Sequence, residues 1–439
     1  MTAASGRPGR ARAVPPTLRL VVVHPRELAG VHALTDDPTE IGRQPGPDTT
    51  LVLAHPTVSR RHVAILWDPV AGRHAVIDRG SHNGTFLDGK PIGTLPKFMA
   101  DGSVLRIGDV LAVYERGEAT TDPPDVNHDA IPGRSLAVQQ LRAVVARVAP
   151  ERAPVLISGE TGAGKENIAG ELHRLGRPRG PFLTVNCAAI SPQLFESQLF
   201  GHVRGAFTGA SHDQPGLLRA ATGGTLFLDE LGELPLDLQP KLLRAVELGE
   251  VIAVGSTQRA TVDVRVVAAT NRSLAADIDS GKFRRDLHAR LALFEIQAPP
   301  LRARRADLLG WIDRLHRAIK PHAPLLALDP EAAEALLLAP WPDNLRGLQR
   351  LVHGLPPAAT ISRESLPAWL SPAAQAHPEQ PDQANLTPRA RPTREELLAA
   401  LAAHGWSLRA TAKHYARDRK QIARWVEMYA ITIPARPGE

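Results

Sequence analysis

The chain has 439 residues, 43% hydrophobic and 22% charged, with a formal net charge of +6 and a single cysteine, Cys187. That length exceeds one ordinary core and predicts two to four soluble domains, and the lone thiol excludes an internal disulfide framework and suits a reducing cytoplasm. No apolar run approaches the ~20 residues that cross a bilayer, residues 1–16 are rich in Arg and Pro and lack the apolar core of a secretion signal, and the positive excess permits nucleic-acid binding without establishing it.

From residue 17 to residue 117 short Val, Leu and Ile runs alternate with clusters of Gly, Asp, Asn and Pro, the pattern of a β-sandwich with frequent turns. Leu18-Arg19-Leu20-Val21-Val22-Val23 and Arg73-His74-Ala75-Val76-Ile77-Asp78 are strands in this reading. Between strands lie Gly42-Arg43, Ser59-Arg60-Arg61-His62 and Ser81-His82-Asn83-Gly84-Thr85. Taken singly, each is a turn or a hydrogen-bonded structural group. In this order, and continued by Leu105-Arg106-Ile107-Gly108-Asp109, they resemble a forkhead-associated (FHA) domain. The resemblance implies binding of a phosphothreonine peptide, with Arg43 and Ser59 on the phosphate, Arg60 and Ser81 nearby, and Asn83 on the peptide backbone. A doubly charged phosphate favours a guanidinium beside short hydroxyl and amide donors. Gly42 and His62 are expected to shape the loops. Residues 118–133, with Asp122-Pro123-Pro124-Asp125, read as a linker.

A second pattern starts at 134. The strand Pro154-Val155-Leu156-Ile157-Ser158 runs into Gly159-Glu160-Thr161-Gly162-Ala163-Gly164-Lys165-Glu166, the strand, loop and helix context of a phosphate-binding P-loop. Backbone amides and a helix N-terminus cradle phosphate there, and Lys165 meets the β and γ oxygens. Glu166 stands where most such loops place a Ser or Thr for magnesium. Further on, Gly205-Ala206-Phe207-Thr208-Gly209-Ala210 puts a large apolar residue between glycines, which reads as a tight protruding loop. An isolated aromatic in such a turn more often folds back into the core. The strand Gly224-Thr225-Leu226-Phe227-Leu228-Asp229-Glu230 ends in two carboxylates at the sheet edge where α/β folds bind ligands. Two acids at a strand end are commonly only solvated, and the upstream loop is what favours a catalytic role.

Together with Glu196-Ser197-Gln198-Leu199-Phe200-Gly201-His202 before it, the segment 205–210 resembles the GAFTGA loop of bacterial enhancer-binding proteins, AAA+ ATPases that remodel RNA polymerase carrying sigma-54. These proteins share the glutamate at Glu166. The resemblance implies that Gly205, Ala206, Phe207, Thr208, Gly209 and Ala210 form the sigma-54 contact, with Phe207 and Thr208 touching the factor. Gly159, Glu160, Thr161, Gly162, Ala163, Gly164, Lys165 and Glu166 would bind ATP. Asp229 would organise Mg2+ and Glu230 would polarise the attacking water. Asn186 matches the residue that pairs with the catalytic glutamate, and Asn271 in Thr270-Asn271-Arg272 matches sensor I. Arg284 and Arg290 fall on the arginine-finger positions, which act on a neighbouring subunit and imply a ring, usually a hexamer. Intrachain salt bridges are the competing reading of both arginines.

Residues 301–370 read as a Leu- and Ala-rich helical lid containing Trp341-Pro342-Asp343-Asn344-Leu345-Arg346, similar to sensor II, with Arg346 as the nucleotide-sensing arginine. Asp343 replaces a usual glycine and Gly347 a usual glutamate; a left-handed backbone at 343 would suit Asp less than Gly, though Asp tolerates it better than most residues. Residues 371–392, rich in Pro, Ala and Gln, read as a tether. Residues 393–434 begin with the capping box Thr393-Arg394-Glu395-Glu396, and Ser407 and Asp418 are N-cap candidates. The last helix carries Arg419, Lys420, Gln421 and Arg424 opposite Ile422, Trp425 and Val426. By itself that is a basic amphipathic surface helix. The order of elements resembles a Fis-type helix-turn-helix, although Ala416 and Arg417 replace the usual glycine and apolar residue of its turn.

The resulting expectation is a multidomain protein: an all-β FHA sandwich (17–117), a linker (118–133), an α/β AAA+ P-loop ATPase subdomain (134–300) with its helical lid (301–370), a linker (371–392) and an all-α helix-turn-helix (393–434). The expected function is a cytoplasmic sigma-54-dependent transcription activator that hydrolyses ATP with Mg2+. Its expected partners are sigma-54 RNA polymerase, enhancer DNA, a phosphothreonine protein or Ser/Thr kinase, and further copies of itself in a ring, with no membrane role. Two other classes stand against it. Intact Lys165, Asp229, Glu230, Arg284 and Arg290 argue against a DNA-binding regulator with a degenerate motor, and the complete 205–210 loop argues against an AAA+ remodeller of another target.

Overall fold

The computed structural model describes residues 17–370, apart from 47, 119, 177–179, 190–191, 356–359 and 368–369, and then 394–403, 406, 411–412, 415, 419–429 and 431. The chain separates into two compact units, 1–371 and 372–439. Among the described residues no helix is long and apolar enough to cross a membrane.

The N-terminal part of the first unit is a sandwich of two sheets. Its strands are β1 (Thr17–His24), β2 (Gly30–Ala33), β3 (Thr39–Gly42), β4 (Leu51–Val52), β5 (Val63–Asp68), β6 (Arg73–Asp78), β7 (Thr85–Leu87), β8 (Lys90–Pro91), β9 (Lys97–Phe98), β10 (Val104–Ile107) and β11 (Val110–Gly117). One sheet runs β2-β1-β11-β10-β7-β8 and the other β4-β3-β5-β6-β9. Inward residues Leu20, Val22, Ile41, Val63, Ile65, Leu105, Ile107 and Tyr114 fill the space between them. The outer face of the first sheet is apolar as well. Val21, Val23, Val104, Leu111 and Val113 belong to the core of the lid helices instead. Because successive strand residues point to opposite faces, the unbroken run Leu20-Val21-Val22-Val23 is buried on both sides.

The linker expected at 118–133 packs against the body as a strap. Asp122 takes the Nε and Nη2 of Arg142, each at 2.6 Å, and Val126 and Ile131 are buried against the α/β core. Proximity of Arg142, buried in the following helix, is what draws the segment down.

The α/β part comprises α1 (Leu136–Val148), β12 (Val155–Ser158), α2 (Lys165–Gly176), β13 (Phe182–Asn186), α3 (Pro192–Phe200), β14 (Gly201–His202), β15 (Gln214–Pro215), α4 (Leu217–Ala220), β16 (Thr225–Asp229), α5 (Gln239–Leu248), β17 (Glu250–Ile252), β18 (Arg259–Thr261), β19 (Arg265–Thr270), α6 (Leu274–Asp279), α7 (Arg285–Leu291) and β20 (Phe294–Gln297). Five strands form a parallel sheet in the order β13-β16-β19-β12-β20. Its side chains divide by alternation. Leu156, Leu226, Leu228, Val266 and Ala268 face one helical layer, while Val155, Ile157, Phe227, Val267 and Ala269 face α1 and α2. Near-continuous apolar strands are what a sheet covered on both faces requires. The lid adds α8 (Leu308–Ile319), α9 (Pro330–Leu338) and α10 (Asn344–Gly354).

In the second unit, α11 (Arg394–Ala403) and α12 (Arg419–Met428) enclose Leu397, Leu401, Tyr415, Ile422 and Trp425. Thr393, Gly405, Ser407, Ala416, Arg417 and Asp418, and with them the expected caps and turn, lie outside the described residues.

Candidate nucleotide site and its loops

The parallel register brings four strand ends level. Asn186 pairs with Asp229 across β13 and β16, and Ser158 pairs with Thr270 across β12 and β19. The P-loop leaves β12 here, tied at Gly159 N to Thr270 O at 3.1 Å. Lys165, mostly buried, donates to the carbonyls of Gly159 (2.9 Å) and Glu160 (3.2 Å). Burial lowers the Lys165 ammonium from its usual pKa range, opposed by the carboxylates of Glu230 and Asp229. Burial also raises Glu230, opposed by Lys165 and reinforced by Asp229. Thus the Lys165 ammonium and the Glu230 carboxylate, each disfavoured by burial, support one another's charge at this edge. Glu230 adopts a left-handed backbone (φ 53°), a conformation seldom taken outside glycine and Asn or Asp. Its amide donates to Asp229 Oδ1 at 3.0 Å. Asn271 reaches the P-loop, donating from Nδ2 to Thr161 Oγ1 at 3.0 Å. Glu166 is exposed on the first turn of α2.

Asn186, Arg284 and Arg290, among the remaining expected site residues, bond within the chain. Asn186 accepts from Ala188 N at 2.8 Å, so its side chain closes a local turn and does not bond Glu230. Arg284 pairs with Asp286 at 2.6 Å and Arg290 with Glu247, both largely exposed. Arg346 is exposed, and its charge acts on both Lys165 and Glu230. Asp343 has φ −96°, so the glycine position carries no left-handed strain, and its carboxylate pairs with Arg350. A Cβ on Gly347 would meet only ordinary contacts. Cys187, behind the two acids, has its thiol pushed up to about 12 by burial and by Asp229 and Glu230, which leaves it protonated and unreactive.

The loop 205–210 leaves α3 through β14. Gly205 and Gly209 have φ of 82° and 102°, and Gly205 N bonds Ala210 O at 2.9 Å, cinching the base. Phe207 remains 40% exposed, its ring edge-on to His202 at 5.0 Å, while Thr208 is exposed beside it. His202 is buried and fixed by Ser197 Oγ at 2.7 Å. A second hairpin, β17–β18, props this base: Val203 N bonds Val254 O at 3.1 Å, and Gly255 lies so close that a Cβ would stand 2.8 Å from Ala206 Cβ. The sequence reading missed this prop, whose only local sign is the glycine.

In the sandwich, Gly42 is required because a Cβ there would lie 2.0 Å from Arg60 O. Arg43 N bonds Ser59 O at 3.0 Å, bringing the two expected phosphate ligands together. Ser59 Oγ accepts from His82 N at 3.1 Å. His62 is buried, accepts from Ser59 N (3.0 Å) through Nδ1 and faces Gly84 O (3.1 Å) with Nε2. Burial holds it below the usual histidine range, so it stays neutral and structural. Asn83 donates to Thr57 O at 2.8 Å, and Ser81 donates to Asp78 Oδ2 at 2.7 Å. Arg60 is exposed. In the second unit Arg419, Lys420, Gln421 and Arg424 all lie on α12, with Arg424 exposed and Ile422 and Trp425 buried.

A P-loop and an acidic strand end on a five-stranded parallel sheet, capped by a helical lid and preceded by a β-sandwich, define an AAA+ type domain joined to a β-sandwich module. Residues 131–297 match the family model of the sigma-54 interaction domain, and residues 39–108 that of the FHA domain. The chain is 38% identical over 337 residues to the transcriptional regulatory protein ZraR of Escherichia coli (strain K12), covering 72% of this chain and 74% of ZraR. It is 42% identical over 265 residues to the DNA-binding transcriptional regulator NtrC of Rhizobium meliloti (strain 1021), covering 59% of this chain and 54% of NtrC. The chain spans about half the length of several curated relatives that it matches. Its fold is similar to that of NtrX from Brucella abortus in complex with ADP, with a TM-score of 0.51 and 32% identity, over 68% of this chain and 69% of NtrX. The chain belongs to the sigma-54-dependent transcriptional regulators and carries an FHA domain.

Proposed function

We propose that this chain is a cytoplasmic ATPase that activates sigma-54 promoters, with its domains bounded as the sequence suggests except for the packed strap at 118–133. The observation that carries the reading is one α/β body holding both a charged nucleotide edge and the half-exposed Phe207. ATP would supply the transferable phosphoryl group, and Mg2+ held by Asp229 would neutralise its charge; a part-exposed carboxylate fits such a hard, oxygen-seeking cation. Lys165 exchanges its carbonyl partners for phosphate oxygens, Glu230 orients and polarises the attacking water, and Asn271 reports through Thr161. Arg284 and Arg290, held by exposed ion pairs of small worth, are free to turn to a neighbour's phosphate in a hexameric ring. The 205–210 loop contacts sigma-54, α12 places Arg419, Lys420, Gln421 and Arg424 on enhancer DNA, and Arg43, Ser59, Arg60, Ser81 and Asn83 receive a phosphothreonine peptide.

Transcription from a sigma-54 promoter with purified polymerase tests the whole reading. ATP-dependent open complexes are expected with the wild-type chain and none with Lys165→Ala. A wild-type chain that hydrolyses ATP but yields no open complexes with sigma-54 polymerase would overturn the assigned target.

A further inference from the structure

The lid does not merely lie over the P-loop; it is bonded to four successive residues of it. Glu160 receives both Nη atoms of Arg302, at 2.8 and 2.5 Å, and Asn344 Nδ2 at 3.0 Å. The Thr161 carbonyl accepts the same Asn344 Nδ2 at 3.0 Å. The Gly162 carbonyl accepts Leu345 N at 3.1 Å, and the Ala163 carbonyl accepts Arg304 Nη2 at 2.8 Å. Asn344 is wholly buried, and its Oδ1 takes Leu301 N at 2.7 Å. One amide side chain therefore joins the P-loop, the first residue of the lid and the first turn of α10. Asn344 also has φ 50°, a conformation asparagine tolerates better than most residues. The approach is close: a Cβ on Gly162 would lie 2.4 Å from Asp343 O.

The peptide plane explains what such bonding does. A planar trans unit points its N–H and the preceding C=O in opposite directions. Amides that turn toward phosphate therefore carry their paired carbonyls as rigid levers on the other side, and here those carbonyls hold the lid. Arg346 follows Asn344 by two residues, and its charge already reaches Lys165 and Glu230.

We propose that Asn344, supported by the Glu160–Arg302 pair, is the positioning residue through which phosphate in the P-loop sets Arg346 and the lid. The proposal rests on the reading of the P-loop as an ATP site. It also gives the P-loop glutamate a role: the Glu160 side chain serves the lid, while its backbone stays with the nucleotide.

The test measures binding of ATPγS and ADP, both with Mg2+, to the full chain and to variants of matched melting temperature. Asn344→Asp keeps the acceptor for Leu301 N and tolerates φ 50° but sets a carboxylate against Glu160; it should weaken ATPγS binding by about tenfold. Arg346→Ala should weaken it similarly. The double variant should bind within about twofold of the weaker single one, because both changes break one connection. Arg302→Gln, at an exposed position, should give a smaller loss that Arg302→Lys partly restores. Multiplying losses in the double variant, or wild-type affinity in both Asn344→Asp and Arg302→Gln, would overturn the proposal while leaving the ATP site intact. A wild-type chain that binds neither nucleotide would overturn the ATP reading itself.

Discussion

Replacing Phe207 with alanine separates a contact residue from a core residue. A fully buried phenylalanine contributes about 1.5–3 kcal/mol through burial, and truncating one in a packed core costs about 3–5 kcal/mol. Phe207 keeps 40% of its surface in water and rests its edge on His202, in a loop whose glycines meet nothing within 4 Å. Its removal should therefore cost about 1 kcal/mol, shifting the melting temperature by no more than about 2–4 °C in a body of this size. Thermal melting, ATPase rate and open-complex formation are measured on one preparation. The expected outcome is near-normal melting and ATP turnover with open complexes lost, and Thr208→Ala should behave alike. A drop of core size in stability, or full transcription from a folded Phe207→Ala chain, would refute the contact role.

Glu230→Gln should retain nucleotide but hydrolyse it very slowly. Burial holds Glu230 above the usual glutamate range, so the wild-type rate, which needs the carboxylate, should persist above that raised pKa and fall with pH earlier than an ordinary glutamate would allow; an acid limb at the ordinary value would contradict this. Mixing Arg290→Ala with Lys165→Ala subunits should recover ATPase activity above either parent, and no recovery in rings shown to be mixed would count against fingers acting in trans. Arg424→Ala should cost roughly 1–3 kcal/mol in specific DNA binding if it reads a base, or flatten the salt dependence equally for all sequences if it meets phosphate; unchanged binding would mark α12 as a surface helix.

The sequence made the architecture readable where information is local. The acid-ended strand at 224–230 and the strand-loop-helix around 155–166 predict β16 and the β12–α2 turn to within a residue. The glycines at 205 and 209 likewise announce the positive φ values found there. What stayed hidden depends on residues far apart. Arg26 pairs with Asp313, and Arg106 with Glu331 at 2.9 Å, across the sandwich and the lid. No periodicity reports such pairs. The segment 118–133 read simply as a linker from its prolines and acids, and the burial of Arg142 that packs it down is invisible in composition. Asp343 looked strained only by comparison with a family glycine, and its own backbone angle removes the difficulty. One clue was present and unread: three consecutive valines in β1 exceed what a strand with one wet face needs.

Those valines bear on how such a regulator can be cut and grafted. Val21, Val23, Val104, Leu111 and Val113 cover an apolar flank of the lid, and Arg106, stacked on Phe86 at 3.9 Å, reaches Glu331 and Glu334 on α9. The FHA module is therefore no interchangeable plug. A chain shortened to begin after Gly117 would bare that flank to water and leave Glu334, held above the usual range by burial despite Arg106, without its cation. Grafting another domain in place of the sandwich would demand a matching seam, one that supplies both the apolar cover and a cation for Glu334.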